Sequence, residues 1–301
     1  GDAVSAPIQK QADGKRLLNK FSIPQNPLKA CPDRRRVFLR DEPEDAAKLY
    51  QYNIGDIQSE AAISARVPDL SPYELGIWLY DQAVNVRGVQ IDIDAVRDFI
   101  AIVYKAQDKY RAELVAITGG LVQTESKVAD MKAWAATHGV HWTTIDKQNI
   151  DGVIATCPEG SPVRRVLEIR KILGSAAIKK LFAMDLKTSS EGRMHGVFSY
   201  CGAPKTGRWA GRDIQPQNFP ALGVNVAKCK SCGGTVWAKA ESCFHCGDFV
   251  HGFDSHDWDE DGVDAVTKIA KHRDLAMFEQ HFGSAYDTIS ACLRGLLTCA
   301  P

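Results

Sequence analysis

The sequence predicts a mainly helical α+β protein that carries a small cysteine-rich β element. Three observations lead to this fold class. Apolar residues recur with helical spacing over most of the 301 residues. Residues 193–200 (RMHGVFSY) alternate between apolar and polar, as a strand does. Two C-x-x-C-G segments lie close together, at residues 229–233 and 243–247.

The helices are predicted in order along the chain. A short helix is expected near residues 14–21, followed by a proline-rich loop and a helix over 44–65. The next helix starts near Tyr73, where Ser71 can cap it and Pro72 takes its first position. Further helices are expected over 95–117, 127–139, 163–186, 265–282 and 286–297, and Gly174-Ser175-Ala176-Ala177 interrupts the one over 163–186.

Composition limits the class of protein. A hydrophobic share of 45% and a charged share of 25% are typical of soluble globular chains. No apolar run is long enough to cross a bilayer, so no membrane partner is expected. Residues 1–21 are polar and lack the apolar stretch of a secretory signal, which predicts a cytoplasmic location in a bacterium or a phage-infected cell.

The distribution of charge is more informative than the net charge of zero. Residues 163–212 hold eleven basic and three acidic side chains, a net charge of +8, while acidic residues concentrate in 254–264. A basic middle with acidic flanks suits a channel for a nucleic-acid duplex. The alternative is a solvated helix face rich in lysine and arginine.

Residues 206–220 read TGRWAGRDIQPQNFP and hold the side chains best suited to nucleic acid. Arg208 and Arg212 carry forked cationic donors that suit phosphate oxygens. Gln217 and Asn218 offer both donors and acceptors, so they can probe base edges in a minor groove. Thr206 opens the segment, and its glycines allow a close approach of the backbone to the duplex.

This segment resembles the TGR…QN-P signature of family A DNA polymerases, the class that includes bacterial DNA polymerase I and many phage replicases. In that family the segment enters the palm from the thumb and touches the primer–template duplex. The resemblance therefore implies DNA primer–template as the partner. The alternative interpretation is a polar surface loop that ends at Pro220.

Three other segments resemble the same family, in the same order. Residues 78–92 (W-x-x-D-x-x-x-N-x-R-G-V-x-I-D) resemble the start of the thumb of phage enzymes. The E-x-R…K pattern over 168–180 resembles the DNA-facing thumb helix, which implies DNA contacts for Arg170, Lys179 and Lys180. Residues 290–297 (S-x-x-L-R-x-x-L) resemble the segment before the first catalytic strand, which implies that Arg294 lies near the template–primer.

Tyr52 and Asp56 are four residues apart on one predicted helix face. The spacing resembles the third motif of 3′–5′ proofreading exonucleases, in which the Asp binds a catalytic metal and the Tyr orients water. The alternative is an ordinary surface helix. The other two exonuclease motifs have no match, so this site is expected to be incomplete.

The two C-x-x-C-G segments predict a zinc ribbon. Four thiolates, from Cys229, Cys232, Cys243 and Cys246, suit tetrahedral Zn²⁺ and leave no open coordination position, which favours a structural role. A redox role is the rival interpretation, and His245, His251 and His256 are alternative ligands. Most family A polymerases lack such an element, so residues 221–261 are interpreted as an insertion, with a solvated acidic loop at 254–261.

The resemblance implies the end of an exonuclease-like domain at 1–68, a thumb at 69–188 and the start of the palm at 189–228. The zinc ribbon predicted from the cysteines occupies 229–247, and an acidic loop with palm helices follows at 248–301. The catalytic palm carboxylates, which hold Mg²⁺ in a complete polymerase, have no match. The chain alone is expected to be inactive: a fragment, or one half of a split polymerase completed by a second chain. The alternatives are a non-catalytic, zinc-stabilised nucleic-acid-binding subunit and a helical domain with an unrelated ribbon.

Overall fold

The computed structural model describes residues 13–23, 36–146, 149–220, 223–224, 226–237, 242–243, 245–248, 255–256 and 260–298. It is mainly helical with small sheets, as the sequence predicts. The chain divides into two compact units, Gly1–Ile77 and Trp78–Pro301. None of the described helices is both long and apolar enough to cross a membrane.

The first unit contains α1 (Gly14–Ser22), a 3-10 turn at Leu39–Asp41 and α2 (Pro43–Ser64), so both predicted helices are confirmed. Leu17 of α1 and Leu49 and Tyr52 of α2 form its small core. Lys20 Nζ donates a 2.6 Å hydrogen bond to Asp45, and this ion pair ties α1 to the first turn of α2.

A third helix, α3 (Pro72–Arg87), begins in the first unit and continues into the second. The predicted start is confirmed, because Ser71 Oγ accepts a hydrogen bond from Glu74 N at 3.2 Å. The division between the units falls inside α3, between Ile77 and Trp78.

The core of the second unit is built around α4 (Ile93–Ile117). Asp92 caps this helix by accepting a 3.0 Å hydrogen bond from Ala95 N. Val96, Phe99 and Ile102 lie on its fully buried side. The unit also contains the helices α5 (Val128–Thr137), α6 (Ile150–Thr156), α7 (Pro162–Leu173), α8 (Ala176–Lys187), α9 (Glu260–Ala270), α10 (Leu275–Phe282) and α11 (Ala285–Cys292), of which α7 to α11 contact α4.

Two helix predictions near the C-terminal end are wrong in extent. Residues 265–282 were expected to form one helix, but α9 and α10 are separate. The break arises because Arg273 adopts a φ of +51° and Asp274 caps a new helix by accepting from Met277 N at 2.9 Å. The last predicted helix, over 286–297, ends at Cys292 as α11.

Three small antiparallel sheets complete the second unit. The strand β1 (Val89–Ile91) lies between β2 (Arg193–Met194) and β8 (Leu297–Thr298), while β3 (Phe198–Ala203) pairs with β4 (Arg208–Gly211). The third sheet has β5 (Val226–Lys228) between β6 (Thr235–Trp237) and β7 (Ser255–His256). The single strand predicted over 193–200 is wrong, because Gly196 adopts a φ of +67° and donates its N–H to Asn85 O.

Candidate nucleic-acid interface and cysteine cluster

The TGR part of the signature forms the turn and second strand of the β3–β4 hairpin. Ala203 pairs with Arg208, and Gly207 in the turn has a φ of +63°. Thr206 and Arg208 are exposed at this end of the hairpin. The side chain of Arg208 has no hydrogen bond or ion pair with any of the described residues, so its guanidinium is available to a ligand.

The chain after β4 forms a tight loop and then a 3-10 turn at Pro216–Asn218. Asp213 and Gln215 adopt positive φ values of 54° and 47°, and Ile214 between them is fully buried. Arg212 is exposed and donates to Ser199 Oγ at 3.1 Å. The buried Ile214 therefore anchors a loop whose polar side chains face outward.

Gln217 and Asn218 are exposed on the 3-10 turn. Asn218 Nδ2 donates to Gln215 Oε1 at 2.8 Å. A Cβ added at Gly211 would overlap the Gln217 side chain. The added Cβ would also lie 2.7 Å from the Gln215 Cα, so the glycine makes room for the backbone of the tight loop as well as for Gln217, a reason that the sequence did not reveal.

Two of the predicted DNA-binding cations hold this turn in place. Lys180 Nζ of α8 donates to Asn218 O at 3.0 Å and lies 4.7 Å from the centre of the Phe219 ring. Arg294, just after α11, donates to Phe219 O at 3.2 Å and to Pro220 O at 3.1 Å. The structure therefore brings three distant segments of the sequence together at one loop.

Arg170 and Lys179 have different surroundings. Arg170 donates to Ile145 O at 3.1 Å and to Glu125 O, and its partial burial lowers the pKa of the guanidinium. Lys179 is exposed and lines a cavity of about 880 Å³ together with Arg170. Neither side chain contacts the 3-10 turn through any of the hydrogen bonds described.

Much of the predicted basic window is neutralised by ion pairs. Arg165 donates to both carboxylate oxygens of Glu113, at 2.6 and 2.9 Å, and this pairing lowers the pKa of Glu113. Three further basic residues of the window are also paired: Arg164 with Glu168, Lys171 with Asp151, and Lys187 with Asp213. The net charge of +8 is therefore a poor measure of the positive surface.

The predicted exonuclease pair lies in the first unit. Tyr52 is only 4% exposed, and a Cβ added at Gly14 would overlap its ring. Asp56, one turn further along α2, is half-buried. Packing against α1 is therefore sufficient to explain why Tyr52 is buried at this position.

A hydrogen-bonded link that is not predicted from the sequence joins α3 to the hairpin. Trp209 Nε1 donates to Asp81 at 2.7 Å, and Asn85 Nδ2 donates to the same carboxylate at 3.1 Å. A signal was present, since Asp81 and Asn85 are four residues apart and a polar pair at this spacing shares one helix face. The identity of the partner of Asp81, Trp209, which lies 128 residues away, carried no sequence signal.

The four predicted cysteine ligands converge. Their sulfur atoms all lie within 4.8 Å of one another, with 3.8 Å between Cys229 and Cys246 and 3.6 Å between Cys232 and Cys243. Tetrahedral coordination with Zn–S bonds of about 2.3 Å would place sulfurs about 3.8 Å apart. The cluster therefore has the size and donor chemistry of a metal site of this kind.

Each C-x-x-C-G segment folds as the sequence predicts. Gly233 N donates to Cys229 O at 2.8 Å and Gly247 N donates to Cys243 O at 2.7 Å, and both glycines have positive φ. The backbone N–H groups that follow Cys229 lower the pKa of its thiol to about 7, which favours the thiolate.

The alternative ligands are placed differently. The ring of His245 packs on Gly234, where a Cβ would overlap it, and His245 is not among the four clustered ligands. His251 and half of the predicted acidic loop, residues 254 and 257–259, lie outside the described residues.

Comparison with known proteins identifies a relative. A DNA polymerase of Bacillus phage SP02 is 34% identical to the chain over 224 residues. This chain is similar to a phage DNA polymerase. The aligned residues are 72% of this chain and 34% of the phage protein, so the chain spans about a third of the length of the curated relative it matches. No protein-family model and no solved structure matches the chain.

Proposed function

We propose that this chain is the part of a family A DNA polymerase that grips the primer–template duplex. The β3–β4 hairpin and the 3-10 turn at Pro216–Asn218 form the contact surface. The similarity to a phage DNA polymerase supports the parent activity.

The observation that carries the proposal is the convergence at the QN-P turn. Lys180 and Arg294 come from positions 114 residues apart in the sequence, yet both donate to backbone carbonyls of residues 218–220. A polar surface loop would need no such support. Because the backbone of the turn is fixed from two sides, its outward side chains are pre-organised for a ligand.

Each exposed side chain has a role in the proposal. Arg208 and Arg212 bind phosphate oxygens, which position the duplex without reading its sequence. Gln217 and Asn218 contact base edges in the minor groove, whose acceptors are shared by A·T and T·A pairs. Thr206 donates to a phosphate at the hairpin end. This set supports binding that is largely independent of sequence, as a replicative enzyme requires.

Nucleotide addition is assigned to residues outside this chain. The sequence contains no D-Y-S motif, which in the resembling family supplies a carboxylate for Mg²⁺. We expect the 301-residue chain with Mg²⁺ and a primed template to bind DNA without extending the primer. Templated incorporation by the chain alone would contradict this assignment.

The proposed binding is tested with Arg208→Ala and fluorescence anisotropy of a primer–template duplex. We expect affinity to fall by about tenfold at low salt, as for the loss of one charge-assisted hydrogen bond. Arg165→Met is the matched control, because it removes an arginine of the same basic window that is already paired with Glu113. Equal affinity of Arg208→Ala and the wild type would contradict the proposal.

We also propose that the four clustered cysteines hold a structural Zn²⁺. Their four sulfurs lie within 4.8 Å of one another, and among the described residues of the ribbon the buried cluster consists of Cys229, Val236 and Cys243. A core this small does not stabilise a fold alone, so the metal supplies folding free energy.

Metal analysis of the purified chain tests this proposal. We expect about one zinc per chain, loss of zinc in Cys243→Ser, and retention in Cys201→Ser, which changes an exposed cysteine outside the cluster. Equal zinc contents in the two variants would contradict it.

A further inference from the structure

We propose that Asp81, Asn85 and Trp209, here called the hairpin anchor, position the β3–β4 hairpin for duplex binding. This inference rests on the proposed function, since it concerns how the surface that carries Arg208 is held. Asp81 and Asn85 belong to α3, and Trp209 follows Arg208 in β4. All three lie in the second compact unit.

Asp81 is the centre of the anchor. Its side chain is only 3% exposed, and it accepts hydrogen bonds from Trp209 Nε1 at 2.7 Å and from Asn85 Nδ2 at 3.1 Å. Gln82 Nε2 donates a third hydrogen bond to this carboxylate, at 3.1 Å, and Gln82 is exposed. A buried carboxylate is costly without such donors, so any shift of the hairpin that breaks the Trp209 bond is strongly opposed.

Asn85 ties the other strand of the hairpin. Its Oδ1 accepts from Phe198 N at 3.0 Å, and its Nδ2 donates to Phe198 O at 3.1 Å. The side-chain amide therefore bonds the backbone of β3 as a neighbouring strand would. Since Phe198 pairs with Gly211, both strands are held to the same helix, β3 by Asn85 and β4 by Asp81.

The bond from Trp209 to Asp81 is made on one face of β4, and the Arg208 side chain lies on the other face. Successive side chains of a strand point to opposite faces, so the Trp209 side chain faces Asp81 and the Arg208 side chain projects from the opposite face. Trp209 is 48% exposed, and its ring contacts Tyr200 edge-on at 5.8 Å between centroids. Hydrogen bonding, more than burial, thus determines where this tryptophan lies and where the Arg208 side chain begins.

A double-mutant cycle on duplex binding tests the inference. Trp209→Phe removes the indole N–H and keeps an aromatic ring, and Asp81→Asn replaces the charged acceptor. We expect each to weaken duplex binding about fivefold in the wild-type background and less than about twofold when Arg208→Ala is present, because both act through Arg208. Tyr80→Phe, an exposed change next to Asp81 on the same helix, is the control and is expected to bind as the wild type does.

The outcomes separate the two proposals. A Trp209→Phe effect of the same size with and without Arg208→Ala, or no effect at all, overturns the inference while the proposed function stands. Wild-type binding by Arg208→Ala overturns both. Because Asp81→Asn can destabilise the fold, thermal unfolding of each variant is measured in parallel, and Trp209→Phe decides the result if Asp81→Asn does not fold.

Discussion

The basic residues of α7 and those of the β3–β4 hairpin contribute to the same positive window of the sequence, yet they have different surroundings. In α7, Arg165 pairs with Glu113, and Arg170 bonds two backbone carbonyls. In the hairpin, the side chains of Lys205 and Arg208 make no hydrogen bond or ion pair with the described residues. A basic residue is available to nucleic acid only when the fold has not already satisfied its donors, and charge density along a sequence does not report this.

The difference arises from acids that are distant in the sequence. Glu113 lies on α4 and Glu125 in the loop after it, both well outside the basic window. The core around α4 brings these groups to α7. No comparable acid reaches the tip of the hairpin among the described residues.

The largest expected effect distinguishes Arg170 from the hairpin arginines. Arg170→Ala is expected to lower the free energy of unfolding by about 2 kcal/mol, because it leaves Glu125 O and Ile145 O without their donor. Lys179→Ala, an exposed change on α8, should alter it by less than about 0.5 kcal/mol. Urea denaturation measures both values. If Arg170→Ala keeps full stability and loses duplex affinity, the distinction between the two regions is wrong.

A smaller, pH-dependent effect is expected for Arg165→Met. Both side chains of the Arg165–Glu113 pair are about a third exposed, so solvent screening limits its contribution to about 1 kcal/mol. Arg165 lowers the pKa of Glu113 below its usual 4.5, so this stabilisation is present above pH 4.5 and is lost as the pH falls through the folded-state pKa. Unfolding at pH 7 and at about pH 3 measures it. A difference between the variant and the wild type that does not shrink at low pH would refute this role.

The smallest effect is expected at the hairpin end. Lys205→Ala should change the free energy of unfolding by less than about 0.5 kcal/mol, since Lys205 is exposed and bonds none of the described residues. We expect it to weaken duplex binding about twofold, through the loss of one nearby positive charge. Anisotropy titrations at low salt resolve a change of this size. Tighter duplex binding by Lys205→Ala than by the wild type would contradict the difference drawn between the hairpin and α7.

Local sequence signals predicted much of the fold and the metal cluster. The helical spacing gave α2, α3 and α4 closely, because amphipathic periodicity and capping act within a few residues. The C-x-x-C-G pattern identified four ligands that do converge, since each knuckle is a local turn. The gap between α9 and α10 was missed, because Arg273 adopts a left-handed conformation that arginine rarely takes.

Non-local partners account for the rest of the candidate site. The bond from Trp209 to Asp81 and the carbonyl partners of Arg170 link residues that are far apart in the sequence. No periodicity or spacing encodes such pairs. Lys180 and Arg294 are predicted to contact DNA, and the sequence carried no signal for the hydrogen bonds that they also donate to the backbone of the signature loop.

The salt dependence of duplex binding tests the central claim most directly. The affinity of the Arg208→Ala/Arg212→Ala double variant and of the wild type is measured over a range of salt concentrations. Each lost phosphate contact should make the slope of log affinity against log salt shallower by about 0.9, so the double variant should differ from the wild type by about 1.8. An unchanged slope would contradict the account, because the hairpin arginines would then not meet phosphate.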